Sequence, residues 1–427
     1  MHPQPPAPAP RRALVVQLAR FGDLLQTRRL VRSLQATGCD VHLAVDRSLA
    51  PLAELAFPGT TAHGLPAHRA GSLDAPAFLA AARPVLAELA GAGFDQVYNL
   101  NFAGMNFSLS TLFDPAIVRG YRMERGQPRM EPWNRLMFRW VHHRRFAGLN
   151  VMDAWGLMAD APLPPGEVNP VARPQGGGIG VVLAGRNSRR SLPAAVLAPL
   201  VAVVARTTGA RRVALLGTAA EKPLARELAA AFPPALSGMV RNLAGRTALP
   251  DLFEEVGGLD LVMTPDTGTM HLAAHLGVPV MAFFLSSAWC FETGPYGLGH
   301  RIWQATAECA PCAERSECAA DLACLAPFSG RELLRHLAGN PEFENPPGLL
   351  GLVSALDLVG CAYRPVLGED VQARERAAFR ALMAEHLGLG VASGPSAEFA
   401  SLFLEERDWM VEDRGQADFI EAVGKSL

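Results

Sequence analysis

The chain has 427 residues, 49% of them hydrophobic and 19% charged, and a formal net charge of -2. That length is too great for one ordinary core and predicts two domains. The composition excludes a disordered chain, and the near-zero charge gives no sign of a nucleic-acid partner.

Residues 1–12 (MHPQPPAPAPRR) read as a disordered Pro-rich tail without the layout of a signal peptide. No apolar run reaches about 18 residues before a charge, Gly or Pro breaks it, so no membrane-spanning helix is expected. Seven cysteines, odd in number and unevenly placed, point to a reduced, cytoplasmic protein.

The short apolar run 13–18 (ALVVQL) has the character of a buried parallel strand. A loop over 19–23 and a helix over 24–36 follow, with Leu24, Leu25, Leu30, Val31 and Leu34 at helical spacing and Gly38 as the stop. Strands over 41–45 and 96–100 continue the pattern. This is the repeating unit of an open α/β sheet. Residues 161–178 are dominated by Pro and Gly, and their last part, 166–178, reads as an interdomain linker. The alternation then restarts, with strands over 179–183, 212–216, 259–263 and 278–284 and helices over 193–208, 219–231 and 269–276. The predicted domains are 13–165 and 179–345, the second with a Cys-rich loop at 309–324. Residues 346–427 read as a helical extension. Two doubly wound halves predict a ligand crevice between them.

Several polar clusters stand at strand ends. Arg20-Phe21-Gly22-Asp23 opens the first helix; Asp23 is placed either to take a proton from a hydroxyl or simply to cap the helix. Asp266-Thr267-Gly268, with His271 one turn on, also precedes a helix. Backbone N–H groups at such a start bind phosphate, and a carboxylate there accepts bonds from sugar hydroxyls. Arg186, Asn187, Ser188 and Arg190 follow the 179–183 strand and suit a diphosphate, although a solvated loop is the plain alternative. Glu221 suits a ribose or a helix first turn. Cys309, Cys312, Cys318 and Cys324 read either as a Zn or Fe–S site or as packed thiols; only Cys309 and Cys312 have knuckle spacing. Residues 119–145 hold eight arginines and two acids among Trp133, Phe138 and Trp140. They read either as an anionic membrane contact or as a core segment with solvated arginines. A dinucleotide fingerprint and a Walker loop are both missing, which ranks an oxidoreductase low.

These residues together resemble the ADP-heptose:lipopolysaccharide heptosyltransferases, glycosyltransferase family 9. The likeness runs over about 13–340. It is carried by VVQLARFGDLLQTRRLVRSL, by Phe94-Asp95-Gln96-Val97 through Asn101, by Arg119-Gly120-Tyr121, and most specifically by DLVMTPDTGTMHLAAHLGVPVMAFF followed by Thr293-Gly294-Pro295-Tyr296-Gly297. The resemblance implies a GT-B fold: two facing Rossmann-like domains with an interdomain cleft. It also implies inverting transfer without a required cofactor. Asp23 would be the general base, and Arg20, Gly22, Asn101 and Arg119 would position the acceptor. Asp266 would hold the donor sugar, Thr267 and Gly268 the diphosphate, and Glu221 the ribose. Arg190 stands where the family usually has Lys. The implied partners are a nucleotide sugar, ADP-heptose in the type case, and a lipid-linked glycan at the inner membrane's cytoplasmic face. A non-catalytic nucleotide-sugar-binding protein of the same fold is the alternative.

Overall fold

The computed structural model of the chain describes residues 10–69, 74–184, 188–313, 317–342 and 344–390. They form two compact units. The first contains the described residues up to Arg139 together with Ala154–Leu163; the second contains Trp140–Asp153 and the described residues from Pro164 on. The segment 140–153 therefore packs with the second unit although it precedes the Pro-rich break.

The first unit is built on β1 (Arg12–Gln17), β2 (Asp40–Asp46), β3 (Thr60–Leu65), β4 (Gln96–Asn99), β5 (Val118–Glu124) and β6 (Gln127–Met130). Their order is β3-β2-β1-β4-β5-β6, parallel except for β6, which runs antiparallel to β5. Five successive residues of β1 are buried, as an apolar run covered on both faces requires. The expected single helix is two, Phe21–Leu25 and Arg28–Ala36. The break comes where the Thr27 hydroxyl and N–H both donate to the Leu24 carbonyl, at 2.7 and 3.1 Å. Gly38, at φ +79°, follows the second helix as expected.

The second unit carries β7 (Ile179–Val182), β8 (Val213–Leu216), β9 (Val240–Asn242), β10 (Leu261–Pro265), β11 (Val280–Phe284), β12 (Arg301–Ala305), β13 (Leu349–Leu356) and β14 (Cys361–Leu367). The order is β14-β13-β12-β11-β10-β7-β8-β9. Strands β7 to β12 are parallel and β13 and β14 antiparallel. Val181, Leu215, Met263 and Phe283 form the core with the helix Ala194–Thr208, which Gly209 ends at φ +67°.

Two expectations are corrected. Residues 346–390 are not a helical extension: a hairpin widens the second sheet and one helix, Ala373–His386, follows. The Leu-, Ala- and Gly-rich run LLGLVSAL does not distinguish strand from helix by periodicity. The remainder of that extension, 391–427, lies outside the described residues, as does 1–9 of the tail.

The run 166–178 is not a free linker. Backbone N–H groups of Ala172, Arg173, Gln175 and Gly177 donate to Leu298, Gly277, Leu259 and Gly258. A Cβ on Gly177 would lie 2.3 Å from the Gly258 carbonyl oxygen, and one on Gly178, at φ +85°, 2.4 Å from that of Arg212. These glycines serve close approach rather than freedom.

Candidate functional site

In the second sheet the chain winds from β7 through β8 to β9, then returns to β10 on the other side of β7. Ligands of open α/β sheets bind beyond the carboxyl ends of strands at such a reversal. Beyond β10 the chain enters Asp266 and then Thr267, the N-cap of the helix Gly268–His275. Thr267 accepts from the Met270 N–H at 3.3 Å, and its hydroxyl lies 2.9 Å from Thr264 Oγ1. This leaves a helix start that suits an anion.

Asp266 is the hub. Its Oδ2 accepts from the Arg190 guanidinium and, at 3.1 Å, from the Thr293 hydroxyl. The buried His271 places Nε2 3.9 Å from Asp266 Oδ1, beyond hydrogen-bond length. Glu221, beyond β8, accepts at 2.6 Å from both the N–H and the hydroxyl of Thr218 through one oxygen, which makes it a cap in this state. Asp266, Thr267, Gly268, His271, Arg190 and Glu221 thus stand on loops at the carboxyl ends of β7, β8 and β10. Arg186 and Asn187 lie outside the described residues, and Ser188 is described in backbone only.

Sequence reasoning missed a second layer. Arg144 grips Glu292 with Nε at 2.8 and 3.1 Å and Nη2 at 2.7 Å, and also donates to the carbonyls of Cys312 and Ser287. Burial acts to lower the Arg144 pKa, but the bonds and charge of Glu292 outweigh it and hold it above its usual value. Glu292 and Thr293 share the short helix Cys290–Thr293, so this pair fixes the turn that reaches Asp266. Arg144 and Glu292 are 148 residues apart, and no local pattern in the sequence links them.

Aromatic side chains of the basic stretch 119–145 pack within each unit, while Arg125, Arg129 and Arg145 are exposed. In the first, Phe138 packs on Phe102 and Tyr121; in the second, Trp140 packs on Phe379. Arg145 donates to the carbonyls of Ala310 and Glu308.

The thiols line the same loop. Cys309 is exposed, Cys312 and Cys318 half-buried, and Cys324 buried. Burial, then the neighbouring Cys309, raises the Cys312 thiol. Among the described residues no group of three or more His, Cys, Asp or Glu side chains is placed to hold a metal ion, so the Zn or Fe–S reading finds no support.

In the first sheet the reversal falls at β1, between β2 and β4. Gly22 and Asp23 lie in the helix beyond β1, and an Asp23 oxygen accepts from the Arg20 N–H at 3.0 Å. Asn101, beyond β4, accepts from the Leu18 N–H at 3.0 Å and so ties down the approach to that turn. Arg119 is not brought to it. Its guanidinium pairs with Asp160 at 3.0 Å, and Asp160 also accepts from Gln96, which faces the start of β1.

Residues 198–322 match the model of glycosyltransferase family 9 (heptosyltransferase), and this match takes in the whole Asp266–His271 turn. Over that stretch the chain is similar to glycosyltransferase family 9. A 72-residue stretch is 36% identical to lipooligosaccharide heptosyltransferase 2 of Haemophilus influenzae, covering 17% of this chain and 21% of that one. The chain thus aligns with about a fifth of the length of this curated relative. Its fold is similar to that of the E. coli heptosyltransferase WaaC with ADP, at TM-score 0.54 and 18% identity over 69% of this chain and 93% of that one. It is also similar to a family 9 glycosyltransferase of Veillonella parvula, at TM-score 0.51 and 14% identity over 68% and 85%. The fold shared with these structures is GT-B, with two Rossmann-like units. No helix of the described residues is long and apolar enough to cross a membrane.

Proposed function

We propose that the chain is an inverting glycosyltransferase that moves a heptose from ADP-heptose to a lipopolysaccharide core or related envelope glycan. The observation that carries this reading is the Asp266 turn: a partly buried carboxylate bound by Arg190 and Thr293 at a capped helix start, inside the segment that matches the family. The E. coli neighbour is described with ADP, and the Haemophilus relative is named for lipooligosaccharide, which supports a nucleotide-linked donor and an envelope acceptor.

In this reading the diphosphate lies against the N–H groups at the start of Gly268–His275. It draws the Arg190 guanidinium away from Asp266, since a phosphate offers the same fork two oxygens. Asp266, released, accepts from the sugar hydroxyls. Asp23 takes the proton of the acceptor hydroxyl as that oxygen attacks the anomeric carbon and the diphosphate leaves from the opposite face. The protein acts in the cytoplasm, where a lipid-linked acceptor is met at the inner membrane.

The alternative, nucleotide-sugar binding without turnover, is favoured by one observation: an Asp23 oxygen is already held by the Arg20 N–H. A panel of nucleotides and nucleotide sugars in a thermal-shift assay, followed by turnover with the donor that binds, separates the two. If ADP and ADP-sugars leave the midpoint unmoved, the donor assignment fails.

A further inference from the structure

The hairpin and helix at the end of the described chain enclose a cavity that the reaction above does not use. β14 is the outermost strand of the second sheet, and residues of β14 and of the helix Ala373–His386 line one cavity. The space between them is about 450 Å³, within the range of small-molecule sites. Phe291, Tyr363, Pro365, Ala377 and Ala381 give it an apolar wall.

Its charged groups are nearly all committed. Arg376 sits over the Phe291 ring, its Cζ 3.8 Å from the centroid, and pairs with Asp370. Arg380 donates twice to Asp357, at 2.6 Å each, and once to the Gly148 carbonyl. Arg364 lines the same cavity, is exposed, and makes no hydrogen bond or ion pair among the described residues. Among the described residues one cation of the cavity is thus left over beside an apolar space.

The surroundings are unusually apolar for a surface. Leu358, Val366 and Val371 are 65%, 58% and 78% exposed. Three large aliphatic side chains held in water within fourteen residues of sequence mark a place of contact rather than a solvated face. Apolar cavity, uncommitted guanidinium and apolar rim together match one chemistry: an acyl chain joined to an anion.

We propose that this cavity binds an acyl chain of an anionic phospholipid, with the phosphate on Arg364, and that Leu358, Val366 and Val371 enter the headgroup region around it. Phe291 forms the cavity wall and is followed by Glu292 and Thr293, the latter bonded to Asp266. A lipid held there anchors the second unit at the surface from which a lipid-linked acceptor comes. The proposal deepens the acceptor half of the transferase reading and rests on it for that role alone.

The experiment is co-sedimentation of the full chain with vesicles of phosphatidylglycerol and, separately, of phosphatidylcholine. The expected result is binding to phosphatidylglycerol at least tenfold tighter than to phosphatidylcholine. Ala377→Trp, which fills the cavity, and Arg364→Glu, which reverses its charge, should each weaken that binding at least tenfold. Both positions are exposed, and thermal midpoints and ADP binding should stay as in the parent. Equal binding by the parent to both vesicles overturns the proposal. So does loss in Arg364→Glu alone, which leaves only surface electrostatics, or a changed oligomeric mass in Ala377→Trp with vesicle binding intact, which makes the cavity a contact between copies. Vesicle binding needs no donor, so absence of an ADP shift with vesicle binding retained sinks the transferase reading and leaves the lipid site standing.

Discussion

The Arg144 guanidinium holds both carboxylate oxygens of Glu292, one residue before Thr293, whose hydroxyl donates to Asp266 at 3.1 Å. The carboxylate proposed to hold the donor sugar is thus oriented by a residue more than a hundred positions away. Charge-assisted bonds of this kind contribute about 1.5–3 kcal/mol each, and more is lost when one partner is left unpaired. Arg144→Ala should therefore lower unfolding stability by about 2–3 kcal/mol. It should also weaken ADP-sugar binding more than ADP binding. A double-mutant cycle with Glu292→Gln, read by urea denaturation, should give a coupling of about 2 kcal/mol. Additive effects would mean that the pair does not act as a unit.

Arg190 has two suitors, Asp266 and, in the proposed complex, the diphosphate. Arg190→Gln should weaken ADP binding about 10- to 100-fold by calorimetry, the loss expected for a charged hydrogen-bond pair. Asp266→Ala should have the opposite sign for ADP, because the guanidinium is no longer shared. The same variant should lose affinity for the ADP-sugar. Weaker binding of both ligands by Asp266→Ala would contradict the exchange of partners.

His300 is buried at the entry to β12, and burial pushes its imidazole down to about 4, against a backbone contact at Tyr296. Its native pKa is below the unfolded value of about 6.5, so the unfolded chain binds the proton first as pH falls. Stability is therefore full above about pH 6.5 and is lost as pH drops toward 4, by about 2 kcal/mol between pH 7 and 5. Urea midpoints of the parent and His300→Gln at the two pH values should differ in slope by about that amount, with the parent the steeper. Parallel slopes would place the acid sensitivity elsewhere.

Gly120 sits in β5 at φ +88°, and a Cβ there would lie 2.3 Å from the Asn99 carbonyl oxygen. Asn99 in turn anchors Asn106, which reaches Asn101 beside the β1 turn. Gly120→Ala should cost about 3 kcal/mol or more, as strained φ and a buried clash combine. The midpoint should fall in a thermal scan, whereas Gly126→Ala, also at positive φ but with nothing within 4 Å of its Cβ, should cost clearly less.

Much of the architecture was legible because the central strands of both sheets are parallel and buried on two faces. Runs such as ALVVQL, apolar but for Gln17, and the segment from 179 are short and bounded, and the structure places β1 and β7 there within a residue or two. The hairpin at 349–367 escaped because Leu and Ala lean toward helix and the run LLGLVSAL carries no period that singles out a strand. The run 166–178 misled for a different reason: glycine signals freedom and close approach with the same letter, and Gly177 and Gly178 are there for the second. At the site, Asp266 to His271 stood out because polar residues crowd between two buried strands. Arg119 was placed by motif alone, and its guanidinium went to Asp160. Arg144 and Glu292 could not be paired from the sequence, since contacts across such separations leave no period behind them.

The base assignment decides between a transferase and a protein that only binds its donor. Asp23→Asn keeps an oxygen for the Arg20 N–H but removes the basic group, so the fold of the turn should survive. Steady-state transfer from ADP-heptose to a heptose-deficient lipopolysaccharide acceptor should fall about 10²- to 10⁴-fold in kcat, with ADP affinity and thermal midpoint unchanged. Transfer by Asp23→Asn at the parent rate would show that the proton leaves by another route and that Asp23 is only a helix cap.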